Sequence, residues 1–413
     1  MRRLNYLILC VVVTLYLTLI VGSPIKQVYK EGQIQQLQIL FRHGDRVPIN
    51  EMFDNSTPVH ILWPIGMGQL TSTGIRQEFQ LGRWFRKQYA SFIPPKYNAS
   101  DVYVRSTDFD RTLMSGQSFL AGLYQCTSAD DCPLYPFGIS WRPVPIHTVQ
   151  KSADKLFVAS NCPKLKKLHN EFLKSDEVQQ YMKKHQDLIH LLQRVTNYPN
   201  VSYDQIGWIA DTLICMQSNN FTLPRWCTKD LLEEMRKIQY FVWRVPTLPI
   251  VQLEIGVFLK QLAETLIEAT KRSTPYTESS VKRLLAYAIH DEYLDYLLIS
   301  LGYLDDKCIE YAGATIFELV GPTPPGALRE YRLKLRYKRS WEDEVADYVQ
   351  ILPCKGEPAS EGCALDRVIG HLETRWLDAR DYDDRCRLDS SSLRQKFQSV
   401  GFVLASVLFY KSI

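Results

Sequence analysis

Three short apolar runs in this sequence each end in charged residues. The runs cover residues 34–41 (IQQLQILF), 102–105 (VYVR) and 284–289 (LLAYAI), and they are typical of buried β-strands. Helical patterns at residues 70–90 and from about 106 to 123 alternate with them. This alternation predicts an α/β fold with a mainly parallel sheet flanked by helices. Ligands of such sheets bind at the carboxyl ends of the strands, which is where the charged residues lie.

A long helical segment interrupts the alternation. Residues 151–272 mix polar and apolar residues with helical spacing, and the clearest helix covers residues 251–269. We therefore predict that 151–272 form an inserted, mostly helical domain. The α/β domain on either side of it comprises residues 24–150 and 273–355. Residues 356–389 are predicted to form a C-terminal extension.

Composition and charge narrow the class of protein. Hydrophobic residues make up 46% of the 413 residues, which is enough to bury a large core and excludes a mainly disordered chain. The 49 basic and 45 acidic residues leave a net charge of only +4. Because this excess is small and evenly spread, the sequence predicts no nucleic-acid partner.

The N-terminus is typical of a secretory signal peptide. Arg2 and Arg3 precede an apolar run over residues 4–21, and Gly22 is a small residue of the kind that a signal peptidase requires. We expect cleavage after Gly22, so that residues 1–22 are removed. The alternative is an uncleaved signal anchor, because the 18 apolar residues of this run can nearly span a bilayer. Both alternatives place the rest of the chain outside the cytosol.

The C-terminal residues 390–413 have two interpretations. Three consecutive serines at 390–392 precede a polar stretch and an apolar run over residues 400–410. That order of small residues, spacer and hydrophobic tail is typical of a signal for a glycosylphosphatidylinositol membrane anchor. The alternative is a last helix or strand that packs on the domain.

The cysteines and the glycosylation sequons agree with export. One cysteine, Cys10, lies in the leader, and the other nine show no paired CxxC zinc pattern, so disulfides are expected with at least one thiol left over. Two pairs are near enough in sequence to close short loops, Cys126 with Cys132 and Cys354 with Cys363. Four N-x-S/T sequons predict N-glycosylation, at Asn55, Asn98, Asn200 and Asn220.

The segment FRHGDRVP at residues 41–48 carries the strongest chemical signal. His43 has Arg42 and Arg46 close on either side, directly after a predicted strand. Two guanidiniums disfavour a protonated imidazole, but both match the oxygens of a phosphate dianion. Gly44 allows the backbone to turn tightly toward that anion. The segment therefore predicts a phosphate site, and the alternative is a surface turn with unrelated charges.

Two further segments reach the same edge of the predicted sheet. Arg105 ends the run at 102–105 and precedes a helix start, where backbone N–H groups attract anions. His290 and Asp291 follow the run at 284–289. The sequence has no HExxH or other metal-ligand spacing, no Cys-x5-Arg loop and no P-loop, so we predict neither a metal nor a cofactor.

These segments resemble those of the histidine acid phosphatases, in particular the prostatic and lysosomal branch. The similarity covers residues 34–386 and its matching segments occur in the family's order: LFRHGDRVP, GQLTSTG, VYVRSTDFDRTLMS, PVPIHTV, NCPKL, NNFTLPRW and YAIHDEYL. The resemblance implies the histidine phosphatase fold and an acid phosphomonoesterase. It also implies a secreted, lysosomal or cell-surface location.

The resemblance assigns roles to the predicted site residues. His43 is the expected nucleophile, which becomes a phosphohistidine, and Asp291 is the expected acid that protonates the leaving oxygen. The groups expected to hold the phosphoryl oxygens are Arg42, Arg46, Arg105 and His290. Two alternatives remain: a specialised member acting on inositol phosphates, lysophosphatidic acid or nucleotides, and a catalytically silent extracellular binding protein.

The resemblance also bears on disulfides, assembly and specificity. Cysteines near family positions are Cys162, Cys215, Cys354, Cys363 and Cys386, whereas Cys308 is displaced and Cys227 is an alternative partner for Cys215 or Cys308. A segment with Trp141 and His147 matches the dimer contact of close relatives and implies a homodimer. Glu292 stands where relatives commonly carry a small or hydroxyl residue, so we expect it to disfavour highly anionic substrates. The alternative is that its carboxylate only stabilises the start of a helix.

Overall fold

The computed structural model describes most of the chain between the two hydrophobic ends. The described residues are 33–50, 59–126, 128–129, 132–157, 162–196, 198–244, 247–271, 281–303, 307–322 and 325–388. The predicted signal segment at 1–22, the tail at 390–413 and Asn55 lie outside them.

A mixed sheet forms the centre of the molecule. Its seven strands are β1 (Gln33–Arg42), β2 (Val102–Ser106), β3 (Leu284–Ile289), β4 (Ala314–Gly321), β5 (Arg332–Lys338), β6 (Asp347–Val349) and β7 (Cys363–Ala364). The order is β2-β3-β1-β4-β5-β6, with β7 also paired to β5. β3 pairs in parallel with both β1 and β2, whereas β4, β5, β6 and β7 are joined by antiparallel pairs. The predicted α/β class is confirmed.

Thirteen α-helices lie among the described residues. The first three are α1 (Val59–Leu62), α2 (Ser72–Gln88) and α3 (Asp110–Leu123). The region between α3 and β3 contains α4 (Pro163–Leu173), α5 (Asp176–Lys183), α6 (Gln186–Val195), α7 (Tyr203–Ser218), α8 (Lys229–Arg244), α9 (Leu248–Glu254) and α10 (Gly256–Ala269). The last three are α11 (Asp291–Ser300), α12 (Leu365–Glu373) and α13 (Tyr382–Cys386). None of the described helices has the length and apolar character that crossing a membrane requires.

The side chains of β1 alternate between two hydrophobic layers. Leu37 and Phe41 point to a core shared with α2 and α3, whereas Leu40 joins the core on the opposite face. Helices α9 to α12 contribute to that opposite face. The sheet therefore has helices on both faces, which leaves its strand ends as the place for a site.

The inserted helices have a core of their own, which does not include the last helices of the predicted insert. Residues of α6, α7 and α8 form a separate hydrophobic cluster, whereas α9 and α10 pack with the sheet. The predicted single helix at 251–269 is divided at Ile255, which joins α9 to α10. The described residues from Ile34 onward form one compact unit. We therefore propose that the insert ends near residue 247 rather than 272.

Three disulfides connect described cysteines. They join Cys126 to Cys132, Cys162 to Cys386 and Cys354 to Cys363. The sequence left the pairing of Cys215, Cys227 and Cys308 open. Cys215 and Cys227 are thiols, so neither the pair of Cys215 with Cys308 nor its alternatives with Cys227 form. Cys215 is buried beside Arg46 and Tyr311, at 3.6 Å and 3.5 Å from their polar atoms, so its sulfur packs under the strand ends instead.

The contact between α2 and α3 depends on two glycines. A Cβ atom added to Gly82 would lie 2.0 Å from the Phe119 carbonyl oxygen, and one added to Gly122 would lie 2.1 Å from that of Phe79. Real Cβ atoms do not approach backbone that closely, so the two helices lie nearer than side chains permit elsewhere. This contact fixes how α2 lies on the sheet.

We expect Gly82→Ala to lower the free energy of unfolding by about 2 kcal/mol, because the added methyl group forces the helices apart. Gly370→Ala is the matched control, since Gly370 lies in α12 with nothing within 4 Å of an added Cβ. There the substitution should stabilise the helix by about 0.5–1 kcal/mol. Urea denaturation of both variants measures the difference, and equal effects would contradict the packing argument.

Candidate active site

The loop that follows β1 lies beside the end of β3 and the start of α2. The backbone N–H of His43 donates to the Ile289 carbonyl at 3.0 Å, which ties the loop to β3. The Asp45 carboxylate accepts hydrogen bonds from Thr71 at 2.5 Å and Asn219 at 2.9 Å. Gly44 lies so close to Gly74 that a Cβ atom there would be 2.5 Å from the Gly74 carbonyl oxygen. The loop is therefore held rigidly in one conformation.

A polar pocket of about 280 Å³ opens at these strand ends. The predicted residues that line it are Arg42, His43, Arg46, His290 and Asp291. The insert contributes the opposite wall through α7 and α8. The structure thus brings together five of the six residues to which the sequence analysis gave a chemical role.

His43 is presented as a neutral imidazole. Its Nδ1 lies 2.8 Å from the carbonyl oxygen of Gly44, and only a protonated nitrogen can bond to a carbonyl. With Nδ1 protonated, Nε2 is the atom that carries the lone pair in the neutral imidazole. Burial and the nearby guanidiniums, Arg111 first and then Arg46, lower the pKa of His43 well below its usual value. The imidazole stays unprotonated, and hence nucleophilic, in acidic solution.

Two of the arginines are positioned by carboxylates. Arg46 makes two hydrogen bonds to Asp211 of α7, at 2.7 and 2.9 Å. Arg42 forms an ion pair with Asp291 at 2.9 Å, and its guanidinium carbon lies 4.4 Å from the centre of the Tyr311 ring. These contacts fix the planes of both guanidiniums at the edge of the pocket.

The assignment of Arg105 to the phosphate site is corrected. Its Nη2 atom forms an ion pair with Asp154 at 2.7 Å, and Arg105 does not line the pocket. Successive side chains of a strand point to opposite faces, so a residue at the end of β2 can face away from the site even though the strand ends beside it. Arg105 instead fixes the loop that contains Asp154.

Arg111 takes the position that was expected for Arg105. It stands in the first turn of α3, lines the pocket and has no ion-pair partner among the described residues. Its Nη2 atom lies 3.4 Å from Nδ1 of His290. Since a guanidinium only donates, that Nδ1 accepts, and the His290 Nε2–H then donates to Thr107 at 3.1 Å. Arg111 is therefore a cation whose charge no carboxylate neutralises.

Asp291 is held as a carboxylate in this pocket. Besides its ion pair with Arg42, it accepts a hydrogen bond from the Tyr240 hydroxyl at 2.7 Å. Burial raises the pKa of Asp291, but Arg42, the Tyr240 hydrogen bond and Arg46 outweigh it, so that the pKa lies below the usual value. Asp291 can serve as the expected acid only in its protonated form. A bound ligand therefore has to raise the pKa of Asp291.

The outer part of the pocket is apolar and acidic. Ile49 and Trp208 have 49% and 41% of their surfaces exposed there, and Asp204 lies one helical turn before Trp208. Arg236 also lines the pocket, but it is paired with Glu310 at 2.6 Å. We call this outer part of the pocket the rim. Among the described residues, the rim has no cation without a carboxylate partner.

The sequence analysis missed the contributions of Arg111, Asp211 and Tyr240. Arg111 stands in the quoted segment VYVRSTDFDRTLMS, six residues after Arg105, and its place in the first turn of a helix was the signal that could have found it. Asp211 and Tyr240 lie in the insert, on α7 and α8. No spacing along the chain connects them to residues 42–46, so only the folded structure shows the contact.

Comparison with known proteins identifies the family. The profile of the histidine phosphatase superfamily (branch 2) matches residues 33–327, and the chain belongs to this family. It is 33% identical to lysosomal acid phosphatase of Xenopus laevis over 70% of this chain and 66% of the frog protein. It is 32% identical to prostatic acid phosphatase of Bos taurus over 70% of this chain and 74% of the bovine protein. The histidine acid phosphatase resemblance is confirmed.

Two further similarities extend over more of the chain. Putative acid phosphatase 5 of Caenorhabditis elegans is 27% identical over 97% of this chain and 91% of its own length. Among solved structures, the apo form of Hafnia alvei phytase superposes with a TM-score of 0.65 over 88% of this chain and 100% of its own, at 17% identity. That likeness shows the shared histidine phosphatase fold.

We expect Arg111→Lys to weaken the binding of inorganic phosphate about tenfold, because lysine keeps the charge but loses the planar fork. Arg105→Lys is the matched control, since Arg105 does not line the pocket. Isothermal titration calorimetry at constant ionic strength measures both variants. A larger loss in the Arg105 variant than in the Arg111 variant would restore the original assignment.

Proposed function

We propose that this chain is an acid phosphatase that hydrolyses phosphate monoesters through a phosphohistidine at His43. The observation that carries the proposal is the neutral imidazole of His43, with a free Nε2, in one pocket with the guanidiniums of Arg42, Arg46 and Arg111. Cations that cluster around an uncharged nucleophile suit a dianionic electrophile. Its relatives are named acid phosphatases, which supports the same chemistry.

The first step transfers the phosphoryl group to His43. The Nε2 lone pair attacks phosphorus, the N–P bond forms, and the ester P–O bond breaks on the opposite side. Arg42, Arg46 and Arg111 stabilise the charge on the three equatorial oxygens. The leaving oxygen takes a proton from Asp291 and departs as an alcohol.

The second step releases phosphate. A water molecule attacks the phosphorus of the phosphohistidine and gives its proton to the Asp291 carboxylate. The N–P bond breaks, and its electron pair returns to Nε2 of His43. The products are inorganic phosphate and the enzyme with a protonated Asp291, which loses its proton to solvent when phosphate leaves and Arg42 pairs with it again.

Substrate binding makes Asp291 take up the proton that it lacks in the empty pocket. A phosphate dianion competes with Asp291 for Arg42 and adds negative charge beside it. Both changes favour the neutral carboxyl, so the pKa of Asp291 rises on binding. An acidic medium then provides the proton, while His43 stays neutral because the guanidiniums depress its pKa.

The rim favours substrates with one phosphate over polyphosphorylated ones. Beyond the inner pocket the ligand meets Ile49, Trp208 and Asp204, and no unpaired cation among the described residues. An aromatic or aliphatic leaving group gains apolar contact there, whereas additional phosphates find no counter-charge. This supports a general phosphomonoesterase over the alternative of an inositol polyphosphatase. The complete catalytic set argues against a silent binding protein.

The cellular setting is proposed to be the secretory pathway or the lysosome. Three disulfides suit an oxidising compartment, and the three described sequons, Asn98, Asn200 and Asn220, are exposed. Relatives are named for the lysosome and the prostate. A membrane anchor at residues 390–413 and a homodimer through the segment of Trp141 and His147 stay predictions.

The proposed function is tested with p-nitrophenyl phosphate at about pH 5. We expect turnover by the wild type, a phosphoenzyme that is trapped by alkaline quenching because the N–P bond is labile in acid, and loss of both in His43→Ala. Wild-type turnover no higher than that of the His43 variant would remove the enzymatic proposal.

Asp291→Asn should slow alkyl phosphates more than p-nitrophenyl phosphate, whose leaving group needs less protonation. Equal losses on the two substrates would exclude Asp291 as the acid.

Tyr240→Phe should shift the falling limb of the pH profile of kcat/KM upward by about one unit. The hydroxyl stabilises the Asp291 carboxylate, so its removal raises the pKa of Asp291, and the acid form persists to higher pH. Tyr311→Phe is the control, because the Tyr311 hydroxyl lies 3.5 Å from Cys215. A profile unchanged in the Tyr240 variant would show that another group sets this limb.

Glu292 lines the pocket, but its charge depends on pH. Burial, then Glu254 and Asp291, raises the pKa of Glu292 to about 8, so the carboxyl is neutral at pH 5 and ionises only in mildly alkaline solution. The expected repulsion of anionic substrates is therefore limited to that higher range. This qualifies the expectation from sequence, which assumed a carboxylate at every working pH.

Glu292→Gln should leave the ratio of kcat/KM for inositol hexakisphosphate to that for p-nitrophenyl phosphate unchanged within twofold at pH 5. Near pH 8.5 the variant should show a higher ratio than the wild type, because only the wild type then carries the extra negative charge. Added salt should reduce this difference. A raised ratio at pH 5 would mean that Glu292 is ionised there.

A further inference from the structure

A second cleft lies at the opposite end of α2 from the catalytic pocket. The helix starts beside Asp45, whose carbonyl accepts the Thr71 N–H at 3.0 Å. Seventeen residues at about 1.5 Å each place its other end roughly 25 Å away. There, α2, the loop before β2 and the end of α3 enclose a cleft of about 420 Å³. Its volume is that of a site for a small molecule.

The lining of this cleft is strongly cationic. Of its 12 described residues five are basic and none is acidic; the five are Arg83, Arg86, Lys87, Lys96 and Arg142. The whole chain has nearly equal numbers of basic and acidic residues, 49 and 45, so this is a local concentration of one sign. A cleft lined by one sign of charge attracts ions of the other sign.

One of the five cations serves the fold. Arg86 donates to the carbonyl oxygens of Leu123, Ile93 and Pro94 at 2.8, 2.8 and 3.0 Å. It thereby satisfies backbone groups where α2 and α3 end. Arg83 and Lys87, in contrast, are exposed and have no ion-pair partner among the described residues. Unlike Arg86, they are not bonded to the carbonyl groups at the helix ends.

The floor of the cleft contains a donor without a partner. Tyr124 is only 5% exposed, and its hydroxyl has no hydrogen-bond partner among the described residues. The Tyr97 ring, which also lines the cleft, packs edge-on against it at 6.0 Å between ring centres. Burial raises the pKa of Tyr124, with Asp101 a smaller contribution, so the hydroxyl keeps its proton. A buried donor of this kind is costly unless a ligand accepts its hydrogen bond.

We propose that this cleft is a second anion site, which binds a phosphate or sulfate group carried on a small polar molecule. Arg83 and Lys87 provide the charge at its sides, and the Tyr124 hydroxyl provides a directed hydrogen bond from the floor. The cleft exceeds the size of one tetrahedral anion, which leaves room for a carrier such as a sugar. The site is separate from the catalytic pocket and takes no part in the hydrolysis.

Inorganic phosphate is the first probe, and two measurements separate the two sites. Calorimetry of the wild type should give two equivalents of bound phosphate, of which only one competes with p-nitrophenyl phosphate. The double variant Arg83→Gln/Lys87→Gln should weaken the second site at least tenfold and leave the competitive inhibition constant unchanged. Tyr124→Phe should also weaken the second site. Its melting temperature without phosphate should be no lower than that of the wild type, because the lost hydroxyl had no partner.

Lys183→Gln/Lys184→Gln is the matched control, since both lysines are exposed in the insert and the change removes the same two positive charges. It should retain both equivalents. The proposal would be overturned if the wild type bound only one equivalent of phosphate and that equivalent competed with p-nitrophenyl phosphate. It would also be overturned if the double variant still bound two equivalents with unchanged affinity. Calorimetry does not depend on turnover, so loss of the proposed enzymatic function would leave this test intact.

Glucose 6-sulfate, which a phosphatase cannot hydrolyse, distinguishes a free anion from an anion on a carrier. Binding at the second site at least tenfold tighter than inorganic phosphate would support a carrier-borne ligand. Affinity equal to that of inorganic phosphate would reduce the proposal to a site for the free anion. Absence of any second-site binding by both probes would remove it.

Discussion

The structure of the site depends on how positive charge is kept next to His43 without protonating it. Three guanidiniums surround an imidazole that a carbonyl group fixes in one tautomer. Mutual repulsion among these cations would disperse them if nothing opposed it. Asp211 and Asp291 each hold one arginine, whereas Arg111 stays unneutralised. Attraction for a dianion is thus concentrated on the side where the nucleophile lies.

The insert contributes to the electrostatics of the site, because two of its residues contact the charged groups of the pocket. Asp211 on α7 orients Arg46, and Tyr240 on α8 stabilises the Asp291 carboxylate. The parallel strands supply the proposed nucleophile and the proposed acid, and the insert sets the orientation and protonation of the groups around them. The same helices form the rim, so one element governs both the electrostatics of the centre and the fit of the leaving group.

Local patterns predicted the parallel part of the sheet and the helices beside it, since β1, β2 and β3 are short apolar runs and α2 and α3 have regular spacing. The loop at residues 42–46 was also predictable, because its chemistry is contiguous in the chain. Arg105 shows the limit: proximity to a strand end does not determine the direction of a side chain, and its ion pair with Asp154 spans 49 residues. The contacts of Arg46 with Asp211 and of Asp291 with Tyr240 likewise join distant segments, so no local spacing reveals them.

The ion pair between Arg42 and Asp291 makes the empty enzyme a poor acid. Only a ligand with enough negative charge to take Arg42 away from the carboxylate makes protonation of Asp291 favourable. A carboxylic ester or another neutral ester, even if it entered the pocket, would leave that pair intact and find no proton donor. The enzyme then discriminates against such compounds because Asp291 is protonated only when an anionic ligand is bound, and not because the pocket excludes their shape.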